Sequence, residues 1–295
     1  PVPLPGTLTL PVGSGPFPIV VLVHGSSASD RDETIGPNKP FRDLAWGLAE
    51  RGIAVLRYDK RTYVRPAWFA GRNSTVDDET VQDALSALTI ARALPEADST
   101  RSFLLGHSLG AIMAPRIAKA DGKVAGVIIM AGATRMPLID QMSRQLAYLD
   151  SIGGADSAAS RAQRDAFAPS AARVRALTPA DSTDNAPIPG MGGTGTRYWL
   201  DLNRYDPALV MRQLRIGALV LTGLRDYQVP SDQADAWLTA AGSRSDITVK
   251  RYPGLNHLFM TGTGRPSPAD YAVPGHVDSQ VITDIAAWIR RQPAH

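Results

Sequence analysis

Ser102-Phe103-Leu104-Leu105-Gly106-His107-Ser108-Leu109-Gly110-Ala111-Ile112-Met113 is the stretch that decides the fold. Its first four residues read as a strand, Gly106 ends it, and the apolar spacing from Leu109 to Ala120 is helical. Gly106 to Gly110 therefore places the pattern G-x-S-x-G where a strand turns directly into a helix. In that context both glycines remove side chains where the turn crowds its neighbours, and Ser108 stands strained and exposed at the helix N-terminus. The helix dipole and the backbone N–H of Leu109 then face the oxyanion that forms when Ser108 attacks a carbonyl. A glycine-flanked serine in an ordinary loop is the competing reading, and the strand and helix on either side weigh against it.

Outward from this turn the chain alternates strand and helix. Upstream lie strands at Gly6 to Leu10, Ile19 to Val23 and Ile53 to Tyr58, and helices at Phe41 to Arg51 and Val76 to Leu94. The β-branched run Ile19 to Val23 suits a strand covered on both faces. Downstream, Val124 to Met130, Ala218 to Thr222 and Ile247 to Tyr252 read as strands, and Val277 to Arg290 as a closing amphipathic helix. Repeated units of this kind predict an α/β fold: a mostly parallel central sheet flanked by helices on both faces. Met136 to Pro207 breaks the rhythm with helical stretches rich in Ala, Ser, Arg and Asp, followed by the Gly/Pro-rich run from Ala186 to Gly195. We expect a single domain over residues 1–295, with a helical cap inserted at about 136–207 over the substrate mouth.

Composition narrows the function classes. The chain has 295 residues, 44% hydrophobic and 20% charged, enough to bury a full core. Its net charge of +3 comes from basic residues that are scattered, so no nucleic-acid partner is expected. With no cysteine there are no disulfides, thiolate nucleophiles or cysteine-held metals, and the redox compartment stays open. The longest apolar runs fall far short of the roughly 20 residues a bilayer span requires. Pro1 in first position leaves room for a removed leader or a preceding domain, so localisation and oligomeric state are open.

An activated serine needs a base. Among five histidines, His24 and His107 belong to earlier motifs, His295 is terminal, and His276 sits at the expected N-cap of the last helix. His257, in the loop after the strand ending at Tyr252, has the right chain order, with His276 as its competitor. Asp226 follows the strand Ala218 to Thr222 and is the expected acid, holding the imidazole in the tautomer that accepts the serine proton. A helix-capping role for Asp226, or Asp201, Asp206 or Asp232 as the acid, is the alternative. The second oxyanion donor is placed at the backbone N–H of Ser26, in the His24-Gly25-Ser26 loop. His24 reads as a brace for that loop. Asp30 to Glu33 and Asp59 to Arg61 are read as an ion-pair network pinning two loops, in preference to a clamp for substrate charge. Trp68, Phe69, Tyr198 and Trp199 are candidate walls of an apolar substrate pocket, with plain packing as the alternative.

His24-Gly25-Ser26, Asp30 to Phe41, Gly52 to Thr62, Gly106 to Gly110, Asp226 to Val229, Asn256 to Phe259 and Pro274 to Val277 together resemble bacterial carboxylesterases of the α/β-hydrolase superfamily, of the EstD type. The resemblance covers nearly the whole core and is weakest through the expected cap. It implies hydrolysis of a small-molecule carboxylic ester through an acyl-enzyme on Ser108, without metal or organic cofactor, and puts Ser108, Asp226 and His257 on the family's triad positions. Ser27 stands where such relatives have a second glycine, and Tyr63 to Gly71 is unusually aromatic, two departures that bear on acyl preference. A serine peptidase or acyl transferase of the same fold, and a binding protein that keeps the pocket without hydrolysis, are the rival readings.

Overall fold

A computed structural model describes residues 3–70, 72–134, 137–152, 157–184, 186–242 and 244–295. Gly71 and Met136, the ends of the aromatic stretch and of the expected cap, lie outside them.

Seven strands form one sheet: β1 (Gly6–Thr9), β2 (Phe17–Val23), β3 (Ala54–Tyr58), β4 (Ala97–His107), β5 (Gly126–Met130), β6 (Gly217–Gly223) and β7 (Ile247–Tyr252). Their spatial order is β1-β3-β2-β4-β5-β6-β7, with only β1 antiparallel to its neighbour. The β-branched run of β2 earns its central place by facing two ways. Ile19, Val21 and Val23 point into one apolar core, while Val20 and Leu22 point into the other. Helices α1 (Pro40–Ala49) and α10 (Ser279–Arg291) cover the second face through Phe41, Leu44, Val281, Ile285 and Trp288. The first face is covered by α3 (Gln82–Ala93), α4 (Leu109–Asp121) and α9 (Asp232–Ala241), with α2 (Arg61–Val64) a single turn after β3.

Beyond shifts of a residue or two at element ends, three elements depart from the sequence reading. β4 begins at Ala97, ahead of the expected Ser102, because the polar residues before Ser102 enter the ladder through a bulge opposite Phe17 and Ile19. It also runs through Gly106 to His107 before the turn. The segment expected to be helical from Val76 opens as a π-turn, Asp77–Val81, within which Glu79 is almost completely buried. The last helix starts at Ser279, where Asp278 Oδ1 accepts the Gln280 N–H at 2.8 Å, so the cap is Asp278 and His276 stands two residues outside it.

Between β5 and β6 the described chain contributes no strand to the sheet. It forms α5 (Leu138–Ser151), α6 (Ser157–Ala176), α7 (Thr196–Arg204) and α8 (Pro207–Gln213). Among the described residues, no helix is long and apolar enough to cross a membrane.

Candidate active site

The turn from β4 to α4 explains its own glycines. Gly106 faces the Gly110 carbonyl so closely that a Cβ would overlap it, and a Cβ on Gly110 would lie 2.6 Å from the His24 carbonyl oxygen. Between them Ser108 is forced to φ 53° and ψ −115°, a region that L side chains rarely adopt and that stores on the order of 1–3 kcal/mol. The turn is held by the Ser108 N–H donating to Met130 O at 2.9 Å and by the Ile112 N–H donating to Ser108 O at 3.0 Å. The strain leaves Ser108 partly exposed at the carboxyl edge of the sheet, with Leu109 opening α4 behind it.

Asp226 and His257 come from the loops after β6 and β7. Asp226 Oδ2 lies 2.7 Å from His257 Nδ1, and Oδ1 accepts the N–H groups of Gln228 and Val229 at 2.8 and 2.9 Å. Both side chains are almost wholly buried, at 4% exposure for His257 and 1% for Asp226. Asn256 shapes the His257 turn, its Oδ1 accepting the Leu258 and Met260 N–H groups while Phe259 takes a φ of 58°. The other candidates are engaged elsewhere. Asp201 pairs with Arg116, Asp206 caps α8, Asp232 faces Arg144, and His276 is 77% exposed beside Asp43.

The His24-Gly25-Ser26 loop lies against the turn. A Cβ built on Gly25 would fall 3.2 Å from Ser108 Cβ and 3.4 Å from Glu33 Oε1. Ser26 is exposed beside it. His24 braces the loop by donating from Nε2 to Asp30 O at 3.0 Å, and burial pushes its pKa down to about 4, against the pull of Glu33.

Sequence reasoning places Glu33 and Lys60 in an ion-pair network between two loops but does not anticipate how deeply they and His107 are buried, or what they meet. Glu33 Oε1 accepts the Gly25 N–H at 2.7 Å, while its Oε2 is 2.9 Å from His107 Nδ1, in ion-pair contact though off the line of a hydrogen bond. His107 Nε2 donates to His257 O at 3.0 Å. Burial works against the charge on His107, but the Glu33 carboxylate outweighs it and raises the imidazole above its ordinary value. Glu33 moves the opposite way: burial would raise its carboxyl, yet His107 and the Gly25 N–H hold it low. Lys60 Nζ donates to Gly25 O at 2.7 Å and pairs with Glu79 at 2.8 Å. Arg31 pairs with Asp59 at 2.9 Å, joining the two charge-dense segments, and Asp32 pairs with Arg57 of β3 at 2.9 Å, so the loop after β2 is tied both to β3 and to the loop that follows it.

Of the four aromatic candidates, Tyr198 and Trp199 lie on α7 and Phe69 packs against Tyr198. Tyr198 and Trp199 are buried, with Tyr198 Oη donating to Glu79 at 2.7 Å and Trp199 Nε1 to Thr194 at 2.9 Å. Phe69 meets Tyr198 edge-on at 5.6 Å and stays half-buried, while Arg61 and Arg72 lie 4.5 and 4.2 Å over the Trp68 ring. Among the described residues, no cluster of His, Asp or Glu is arranged to hold a metal ion.

Comparison with known proteins accords with this architecture. The chain is 41% identical over 286 residues to Esterase EstD of Thermotoga maritima, a match that takes in 97% of this chain and 65% of EstD, so the chain spans just under two thirds of that relative's length. Among solved structures it resembles Est1E from Butyrivibrio proteoclasticus with bound ferulic acid (TM-score 0.62, 14% identity, 98% of this chain and 95% of that one). It also resembles the proline iminopeptidase of Mycobacterium smegmatis (TM-score 0.58, 16% identity, 97% and 94%). At such identities these two likenesses speak to the fold alone. The description "Alpha/beta hydrolase family" matches residues 20–274, from the second strand to the segment before the last helix, and the chain belongs to that family.

Proposed function

We propose that the chain is a serine carboxylesterase that cleaves small carboxylic esters of short to medium acyl length by two-step acyl transfer. The observation that carries the reading is the buried 2.7 Å pair of His257 Nδ1 and Asp226 Oδ2 on two strand-end loops, with His257 O bonded at 3.0 Å to His107, the neighbour of a serine held at positive φ. Ser108 attacks the ester carbonyl while His257 takes its proton from Nε2, and Asp226 fixes the ring and offsets the imidazolium charge. The N–H groups of Ser26 and Leu109 receive the oxyanion. His257 returns the proton to the leaving alcohol, an acyl-enzyme remains, and water activated by the same histidine releases the acid. This chemistry runs on side chains and backbone alone. The esterase name of the 41% identical relative supports the ester over the peptide bond as substrate.

In this reading the helices between β5 and β6 form the cap, and Tyr148 of α5 supports it by stacking on Tyr227, next to Asp226, at 6.1 Å. Phe69, half-exposed, is the pocket wall we favour, and the burial of Tyr198 and Trp199 favours packing for those two.

The test is hydrolysis of p-nitrophenyl esters from acetate to decanoate by the wild type, Ser108→Ala and His257→Ala. Turnover of short esters that both substitutions abolish is expected. An inert wild type, or full activity in Ser108→Ala, overturns the proposal.

A further inference from the structure

Lys60 has no part in the acyl-transfer scheme, yet it is one of the most deeply buried charges in the protein, with 3% of its side chain exposed and its partner Glu79 at 2%. Taking an ammonium and a carboxylate out of water is expensive, and an apolar pair of the same volume is often as stable or more so. The location of the charge supplies its use. Lys60 Nζ donates to the Gly25 carbonyl, which belongs to the same peptide group as the Ser26 N–H. The other side of Gly25 is also gripped, its own N–H by Glu33 Oε1 at 2.7 Å. The Lys60 backbone N–H adds a third hold, donating to Ser29 O at 3.0 Å.

We propose that Lys60 is a positioning residue of the oxyanion hole: its ammonium orients and polarises the 25–26 peptide so that the Ser26 N–H becomes a stronger, fixed donor to the developing oxyanion. A hydrogen bond on a peptide carbonyl withdraws electron density from the attached N–H, and in a low-dielectric site such bonds reinforce one another. The polarisation grows in value as negative charge develops on the substrate oxygen, so it acts on the transition state more than on the bound ester. Glu79 holds the ammonium in place, and Tyr198 of α7 holds Glu79 through its 2.7 Å hydrogen bond. The proposal rests on the esterase reading and on the Ser26 assignment within it.

The experiment compares the wild type with Lys60→Met and with the charge-neutral double substitution Lys60→Met/Glu79→Gln, which leaves no carboxylate stranded. Loss of an entire oxyanion donor lowers kcat by about 10²–10³, so weakening one is expected to lower it by about 10–100-fold, with KM within about threefold. Affinity for an alkyl trifluoromethyl ketone, which mimics the tetrahedral oxyanion once Ser108 adds to it, should fall in step with kcat/KM. Affinity for the carboxylate product should not. If the wild type hydrolyses p-nitrophenyl acetate in a Ser108-dependent way but the folded variants keep kcat and ketone affinity within about twofold, the Lys60 role falls and the esterase reading stands. An inactive wild type overturns the esterase reading instead, and this proposal with it. Equal losses for ketone and product, or failure of both variants to fold, overturn the positioning role and leave the pair to general stability.

Discussion

Asp226→Asn tests the site sharply because the backbone around it dictates which way the new amide lies. Oδ1 accepts two N–H groups, from Gln228 and Val229, and Oδ2 faces His257 Nδ1 at 2.7 Å. An asparagine must keep its carbonyl oxygen on those two donors, since the reversed amide would set NH2 against N–H. The NH2 then points at His257 Nδ1, which has to become an acceptor, and the ring proton moves to Nε2. In that tautomer Nε2 has no lone pair for the serine proton. The fold should barely notice: one charge-assisted hydrogen bond becomes a neutral one, a loss of about 1 kcal/mol. Catalysis should fall by about 10⁴ in kcat, or about 5.5 kcal/mol of transition-state stabilisation, with little change in KM because the amide touches no substrate. The assay is steady-state hydrolysis of p-nitrophenyl acetate at neutral pH, beside urea unfolding of the same preparations. A folded variant that keeps more than a tenth of the wild-type kcat would refute the reasoning, since no tautomer switch is that mild.

Three further outcomes follow from the same geometry. Gly110→Ala drives a Cβ into the Val23 and His24 carbonyls and is expected to cost about 3 kcal/mol or more in urea unfolding, displacing the His24 to Ser26 loop as it does so. Ser108→Gly removes the side chain from a φ of 53° and should abolish hydrolysis while raising stability by about 1 kcal/mol, read as a higher urea midpoint at unchanged m. His24 is buried neutral with its pKa lowered from 6.5 to about 4, so the unfolded chain binds the extra proton first as pH falls. Stability should therefore drop from pH 6.5 downward by an amount approaching about 3 kcal/mol near pH 4, and His24→Asn should flatten that limb in urea unfolding across the range.

The strand-turn-helix at Ser108 is legible because everything it needs is local: the glycines, the apolar strand and the helical stripe adjoin in sequence. Asp226 and His257 are nearly as legible, since parallel strands bring their carboxyl ends to one edge and chain order does the rest. Glu33, Lys60, Glu79 and Tyr198 are not, because what matters about them is pairing across long separations, 35 residues from Lys60 to Gly25 and 119 from Tyr198 to Glu79. In sequence Glu33 and Lys60 read as members of an ion-pair network between two loops and Tyr198 as a candidate pocket wall, and neither reading names their partners. Glu79 adds a second obstacle: it adjoins Asp77 and Asp78 at a helix start that favours acids, so it reads as a partner of the helix dipole, whereas its side chain is buried against Lys60. The early start of β4 is hidden for the opposite reason, since its polar opening residues are exposed and carry no apolar alternation.

The helices between β5 and β6 touch the surroundings of the proposed site at two separate places, through Tyr148 and through Tyr198. On one side Tyr148 of α5 stacks on Tyr227 at 6.1 Å, and Tyr227 on Tyr271 at 5.9 Å, while Gln228 Nε2 donates to Tyr271 Oη at 2.7 Å. That column leans on the loop whose Gln228 and Val229 N–H groups hold Asp226. On the other side Tyr198 of α7 reaches Glu79, Lys60 and the Gly25 carbonyl. Burial, and then the Glu79 carboxylate, push the Tyr198 phenol well above its ordinary pKa, so it stays a donor throughout the working pH range. An insertion that only covered the mouth could rest on apolar side chains. This one sets a ring stack, Tyr148 on Tyr227, behind the proposed acid and a polar, directional contact, Tyr198 on Glu79, behind the proposed Ser26 donor, so in the proposed mechanism a shift of α5 or α7 would change how Asp226 and Ser26 are held.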